Sequence, residues 1–278
     1  MIFEALNYAA TWPLTTPGHR PFIRHSVDLW SRAARCAADW REHEENSKAA
    51  ILAAMAKARQ RRTAVVLGSG LLRDVPIIEL SRDFDTVVLV DLVHLASVRM
   101  WLASKGLKNV RMIERDLSGY DALAAGGEPD PLGFLRQVPY LDFVVSANLL
   151  SQIGIGAKKR LEREMQGRMP PDALPRLICA HLHGLAGLPA QCCLLTDIAY
   201  EVIDRNGHVQ DRVDLLQGVA VPPASNRMGL AGRAARRAKP GSPDRAQGDC
   251  GLSPLLNGGI TKPGPALLST KSRLPSAT

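Results

Sequence analysis

Five short apolar runs, each stopping at a small or polar residue, constrain this chain more than any other feature. They are Thr63–Leu67 (TAVVL), Thr86–Val90 (TVVLV), Val110–Ile113 (VRMI), Leu141–Val145 (LDFVV) and Gln191–Leu195 (QCCLL). Short runs with so few polar interruptions suit strands covered on both faces. The segments between them show helical spacing. In 94–105, Leu95, Val98 and Leu102 share one face, and Gly106 supplies a C-terminal stop. In 74–81, Pro76 falls in the first turn, where a proline is tolerated. The stretch 172–187 reads as a further helix. Strands alternating with helices predict a mostly parallel, doubly wound α/β sheet with right-handed crossovers.

The flanks read differently. Residues 1–60 are expected to form a helical extension, with Ser26 and Ser47 capping two helices and the polar stretch Arg41–Asn46 separating them. Trp12, Trp30 and Trp40 in this region are expected to cover the substrate side of the sheet or to pack against it. After the fifth run, Ala199–Val213 suggests a hairpin about Asn206-Gly207. The texture then breaks: residues 222–278 contain eight glycines, eight prolines and no aromatic residue. Such a segment buries little against the entropy of ordering it, so disorder is expected there. Its Arg, Ala, Gly, Pro and Ser are also what an out-of-frame reading of G/C-rich DNA yields, an account that competes with a genuine extension.

Charge is unevenly placed. The formal net charge is +8, but nine Lys/Arg against two Asp/Glu lie in 222–278, leaving 26 against 25 in residues 1–221. The body is therefore near neutral, and no specific nucleic-acid partner is implied. The tail offers cations to phosphates non-specifically, without aromatics for base stacking. Five cysteines (Cys36, Cys179, Cys192, Cys193 and Cys250) are too few for a disulfide framework and are expected as reduced thiols. No apolar run approaches the ~18–20 residues of a membrane span, and residues 1–21 lack a basic-then-apolar leader. A cytoplasmic protein is expected, of undetermined oligomeric state.

An open parallel sheet binds ligands outside the carboxyl ends of its strands. The residues in that position are Gly68-Ser69-Gly70, Asp91, Asp116 and Ser146 to Asn148, with Gln152 close by. Glycines let the backbone turn tightly and approach a ligand. A carboxylate ending the second strand can accept hydrogen bonds from both hydroxyls of a ribose. A metal site is not expected. Cys179, His181 and His183 fall on one helix at adjacent-but-one positions, which point about 200° apart, and neither C-x-x-C nor H-E-x-x-H occurs. There is no G-x-S-x-G elbow and no P-loop to support a hydrolase or an NTPase. Lys158-Lys159-Arg160 and Arg163, interleaved with Glu162 and Glu164, read as a solvated helix face.

The runs VVLGSGLLRDVPIIEL, VVLVDL, NVRMIERDLSG and LDFVVSANLLSQI resemble the class I S-adenosylmethionine-dependent methyltransferases. The likeness covers roughly residues 60–200 and extends to an uncharacterised bacterial branch of that family. It implies a Rossmann-like S-adenosyl-L-methionine-binding domain at 61–221, between the helical extension (1–60) and the basic tail (222–278). It also implies a methyltransferase acting on a small-molecule acceptor. The family's cofactor roles would fall on Gly68, Ser69 and Gly70 for the methionine part, Asp91 for the ribose and Asp116 for adenine. The segment Ser146 to Asn148 would line the methyl-transfer site, with Asn148 also touching the cofactor. No catalytic base is identified.

Two departures stand out. The family turn is acidic-x-Gly-x-Gly-x-Gly, whereas Val66 takes the acidic place here. Asn148 is followed by Leu149-Leu150 rather than by the Pro-Pro-aromatic motif of enzymes that methylate amide or base nitrogens. Two alternatives remain. A nicotinamide-dependent oxidoreductase would require a small third residue in G-x-G-x-x-G, where Arg73 stands. A non-catalytic module that retains the fold is the other. The family usually completes its sheet with two strands after the fifth, the last antiparallel, and the tail offers no convincing candidate.

Overall fold

β1 (Thr63–Leu67) is buried at all five positions, being paired on both edges and covered on both faces. On one side follow β2 (Thr86–Asp91) and β3 (Val110–Glu114); on the other, β4 (Leu141–Ala147) and β5 (Gln191–Ile203), all parallel. Three further strands, β6 (Val209–Asp214), β7 (Asn226–Gly229) and β8 (Leu252–Thr261), complete an eight-stranded sheet of order β3-β2-β1-β4-β5-β8-β7, with β6 paired to β5 off this path. This computed structural model describes residues 2–164, 170–203, 208–222, 226–229 and 252–261.

The strand order reverses between β1 and β4, as in a doubly wound Rossmann-like sheet. β1 to β4 end within two residues of the apolar runs. β5 continues eight residues beyond its run. After Leu195 leaves its parallel register with Ala147, the strand becomes one arm of a hairpin with β6, through Ala199↔Asp214, and pairs β8 along its other edge. The Asn206-Gly207 turn lies outside the described residues. β7 and β8 fall in the stretch that the sequence left without a strand, and β8 runs antiparallel to both neighbours. The rest of 222–278, where disorder was expected, also lies outside the described residues, apart from Pro222 itself.

Helices α1 (Ile2–Thr11), α2 (Ile23–Arg35), α3 (Ala37–Met55), α4 (Ile77–Asp83), α5 (Ala96–Ser104), α6 (Tyr120–Ala124), α7 (Leu149–Glu164) and α8 (Ala173–Ala186) cover the sheet. Alternation within the strands divides the core. Val66, Leu89, Val145 and Leu195 pack with Ile23, Val27 and Ile51 of the N-terminal helices and Ile77 of α4. Val65, Val90, Val144 and Leu194 pack with Leu150 and Ile178 on the opposite face. A fully buried Ile or Leu contributes about 1.5–3 kcal/mol, so the N-terminal helices share in the stability of the sheet they cover.

The break between α2 and α3 falls at Cys36, not at 41–46. The polar stretch is instead the middle of α3, because it contains good helix formers and neither proline nor glycine. Ser26 bonds back to the Phe22 carbonyl and Ser47 is buried mid-helix, so neither is a cap. The real N-terminal device is remote. Thr11 Oγ1 accepts the Ala96 N–H at 2.9 Å, capping α5 from another helix, while Asn7 exchanges side-chain bonds with Ser97. Further along, the backbone N–H and hydroxyl of Thr16 both donate to Glu114, which also pairs with Arg99. These bonds pin the N-terminal segment over the end of β3.

Among the described cysteines, Cys179, Cys192 and Cys193 are free thiols. Cys36 is disulfide-bonded, which corrects the expectation of thiols throughout. No helix among the described residues is long and apolar enough to cross a membrane.

Candidate functional site

The turn after β1 is the most constrained backbone in the cleft. Gly68 and Gly70 have φ of +70° and +49°, and Leu72 follows at +58°. Left-handed geometry costs a non-glycine residue roughly 1–2 kcal/mol. Leu72 stands two residues past Gly70, so the alternation of left-handed residues continues there without a glycine. Its buried side chain in the α-helical core layer and its N–H bond to the Ser69 carbonyl at 3.0 Å hold it there. The two glycines differ. A Cβ on Gly68 would meet the Ala147 carbonyl oxygen at 2.9 Å and Leu149 Cβ at 3.0 Å, so this glycine allows the turn to pack on the start of α7. A Cβ on Gly70 would meet only the Gly68 carbonyl oxygen, at 3.9 Å, so its backbone faces open space.

Asp91 ends β2 beside this turn. One carboxylate oxygen accepts the Gly70 N–H and the other the Leu92 N–H, both at 2.7 Å. The Val93 backbone N–H also acts on the carboxylate, and of its roughly four acceptor positions at least one is left for a further donor. Burial raises the Asp91 pKa, and the backbone donors pull against that rise. The Asp91 carbonyl accepts the Arg115 N–H at 2.8 Å, which draws the start of the β3 loop alongside. Beyond it, Asp116 accepts the Ser118 N–H at 2.7 Å in a local turn and lies 3.5 Å from Arg160.

A second group of polar residues gathers past the ends of β1 and β4, beside the middle of β5. Asn148, at φ +51°, donates its backbone N–H to the Leu195 carbonyl at 2.9 Å and its side-chain amide to Asp74 at 2.7 Å. Its amide oxygen is buried without a hydrogen-bond partner. Arg73 next to Asp74 is held by both oxygens of Glu44 on α3, at 2.6 and 3.2 Å. Burial raises the Asp74 pKa; a hydrogen bond from its own backbone N–H, then the Asn148 amide and His43, oppose the rise, and Glu44 adds to it. Asp197, two residues past Leu195, is pushed up to about 7 by burial and then by the charge of Asp74; no hydrogen bond or cation opposes that shift.

The structure thus brings Gly68, Ser69, Gly70 and Asp91 into one arrangement and places Asn148 against the same turn. Asp116 stands further out, on the β3 side. Ser146 does not line the cleft: it is fully buried and its hydroxyl lies 2.9 Å from Nε2 of His181. The reason is strand alternation, which turns Ser146 toward α8. Gln152 is exposed on α7. His181 is buried while His183 on the same helix is exposed, so the two do not converge. No group of three or more potential metal ligands occurs among the described residues. The strand-end rule that finds Asp91 does not mark Asp74, Asp197, His43 or Glu44; Asp197 follows the fifth apolar run by two residues but lies within β5. A separate hollow of 420 Å³ lies between 128–130 and α8, where Arg136 and Arg176 are already paired with Asp130 and Glu128.

Strand order, the reversed last strand and a glycine turn keyed to an acidic strand end define a Rossmann-like protein with its cleft at the β1/β4 switch. No family model and no curated protein matches the chain. Among solved structures it is similar to a SAM-dependent methyltransferase from Aquifex aeolicus, at 14% identity over 49% of this chain and 56% of that one, TM-score 0.28. It thus spans about half the length of that protein. It is also similar to the N-methyltransferase NodS from Bradyrhizobium japonicum WM9, solved with S-adenosyl-L-homocysteine: 14% identity, 79% and 87% covered, TM-score 0.38. A third likeness is to the 1,6-didemethyltoxoflavin-N1-methyltransferase of Burkholderia thailandensis, at 16% identity, 86% and 88% covered, TM-score 0.40.

Proposed function

We propose that this chain binds S-adenosyl-L-methionine at the β1/β4 switch and transfers its methyl group to a small-molecule acceptor. The observation that supports the reading is the 2.7 Å bond from the Gly70 N–H to Asp91, which sets a bare backbone turn and a ribose-type carboxylate side by side. The residues fit the cofactor in two further respects. Gly70 leaves room for close approach, and the buried Ser69 hydroxyl has no hydrogen-bond partner. When bound, the cofactor supplies a sulfonium methyl group that needs no further activation.

The chain's own residues bind and orient. Gly68, Ser69 and Gly70 would hold the methionine part through backbone and hydroxyl groups. The acceptor capacity left on Asp91 would serve the ribose hydroxyls, and Asp116 would meet the adenine edge. Asn148, anchored through Asp74, would border the transfer site. Catalysis would come mainly from holding the acceptor in line with the methyl group, an effect worth up to ~7–11 kcal/mol. The N-terminal helices would exclude water. Trp30 packs on the core and Trp40 lies under Arg32, whereas Trp12 is exposed beneath Arg20.

A cytoplasmic setting is part of the reading. Three free cysteines suit a reducing compartment, and the Cys36 disulfide is the feature that pulls the other way. The test is calorimetric titration with S-adenosylmethionine and S-adenosylhomocysteine, with NAD and NADP as controls. Micromolar binding of the adenosyl pair, weakened about 1–3 kcal/mol by Asp91→Ala, is the expected result. Binding of NAD or NADP alone would overturn the reading in favour of an oxidoreductase.

A further inference from the structure

The group past the ends of β1 and β4, beside the middle of β5, has acceptors in excess of donors. The Asp74 carboxylate has two donors, its own backbone N–H and the Asn148 amide. Asp197 has none: burial and the negative charge of Asp74 are all that act on it. The Asn148 amide oxygen is a third acceptor, buried and unpartnered, on the same amide group that touches Asp74. The nearest fixed cation, Arg73, is taken by both oxygens of Glu44. His43 acts electrostatically on Asp74, but burial holds its imidazole toward the neutral form.

Among the described residues, the three carboxylates Asp74, Asp197 and Glu44 therefore have one arginine beside them, and Glu44 binds it. Asp74 and Asp197 are both half-buried; charge that is partly desolvated and left unpaired is costly, and proteins keep it where a ligand or ion completes the pair. The position is also the right one. β5 is the strand beside β4 on the side away from the Gly68–Asp91 arrangement, so Asp197 lies across Asn148 from the proposed cofactor turn.

We propose that Asp197, Asp74 and the Asn148 amide oxygen form a subsite for an organic cation, recognising a protonated amine or amidine carried by the methyl acceptor. The proposal rests on the methyltransferase reading for the word acceptor, and on the polar cluster for the cation. An ammonium group suits the site because it offers two or three N–H donors to a place with three acceptors. A carboxylate-bearing or phosphorylated acceptor would be repelled by the same residues.

The experiment uses the full chain saturated with S-adenosylhomocysteine and ligand-observed NMR with matched small probes. These are butylamine, 2-phenylethylamine and agmatine, each against its isosteric alcohol and carboxylate. Amines are expected to bind at least about tenfold more tightly than the matched alcohols, and carboxylates not to bind; a tenfold ratio is what one retained ionic hydrogen bond gives. In Asp197→Asn the amine preference should fall to about threefold or less, with the melting temperature unchanged or raised as proof of folding. Equal binding of amines and alcohols, or no binding of any amine, overturns the proposal. A competing account is that these carboxylates hold the ammonium of the cofactor itself. Asp197→Asn would then weaken S-adenosylhomocysteine but not methylthioadenosine, which lacks that ammonium, and this result also overturns the proposal. If wild type binds no S-adenosylhomocysteine, the methyltransferase reading fails by itself. The amine-to-alcohol ratio measured on the bare chain then still decides the cation site.

Discussion

The side-chain amide of Asn148 donates to Asp74 across 2.7 Å, and through that bond the turn after β4 is tied to the turn after β1. The two turns flank the switch in strand order, so the bond spans the mouth of the cleft. Asn148 takes a left-handed conformation to make it, with φ of +51°.

Two effects at Asn148 can be separated by substitution. Asn148→Gly removes the bond but accepts the backbone geometry, whereas Asn148→Ala removes the bond and keeps the strain. Alanine is expected to cost about 2–4 kcal/mol of unfolding free energy and glycine about 1 kcal/mol less. A double-mutant cycle with Asp74→Ala should return a coupling of about 1–3 kcal/mol. Denaturant titration measures all of these. Zero coupling would mean that the bond does no work in the folded chain.

Much of the sheet was legible because buried parallel strands leave a compositional trace that does not depend on partners: β1 matches its apolar run residue for residue. The second half of β5 is legible through its turn rather than through an apolar run: Ala199–Val213 suggests a hairpin, and Ala199–Ile203 does pair antiparallel with Val209–Asp214. The pairing of the same stretch with β8 has no mark in its own pattern. The site divides in the same way. Gly68, Gly70 and Asp91 follow from strand ends, which local sequence marks. His43 and Glu44 were hidden because polarity at 41–46 was read as a break between helices. Two of those polar residues face the turn after β1 instead, where Glu44 binds Arg73.

The two glycines of the first turn should fail differently. Gly68→Ala places a Cβ against the Ala147 carbonyl oxygen and Leu149 in a left-handed position, so loss of about 2–4 kcal/mol of stability is expected. Gly70→Ala meets open space and should cost only about 1 kcal/mol. Its methyl group instead points where a ligand would approach, so adenosyl-ligand affinity should drop about tenfold or more, the worth of one close contact. Thermal unfolding paired with calorimetry separates the two. If Gly70→Ala binds as wild type does, the ligand does not approach this face of the turn.

His181 links stability to acid. Burial lowers its pKa from 6.5 to about 4, and its ring lies against the Ser146 hydroxyl. Between those values the unfolded chain takes up a proton that the folded chain refuses, so stability falls as pH drops from 6.5 toward 4. The loss reaches about 2–3 kcal/mol at the low end. His181→Gln, which keeps a hydrogen-bonding group without a titrating one, should flatten the stability curve over that window. An unchanged slope would show that another group sets the acid sensitivity.

Asp197 acts in the opposite sense. Its carboxyl is raised from 3.8 to about 7, so between those values the folded chain holds a proton that the unfolded chain has released. Stability therefore falls as pH rises through that window, and the penalty is complete above about 7. The residue is half-buried, and partial screening reduces the penalty from the full linkage value to about 1–3 kcal/mol. Asp197→Asn removes the charge in nearly the same shape. It should stabilise the ligand-free chain by that amount at pH 8 and leave it unchanged below pH 4, as followed by urea unfolding at both values. The difference between variant and wild type isolates this group, because the contribution of His181 is common to both curves. A stabilising substitution is the mark of a charge kept for something other than the fold. If the asparagine variant proves less stable at pH 8, the carboxylate already has a counter-charge, and the cation subsite loses its physical basis.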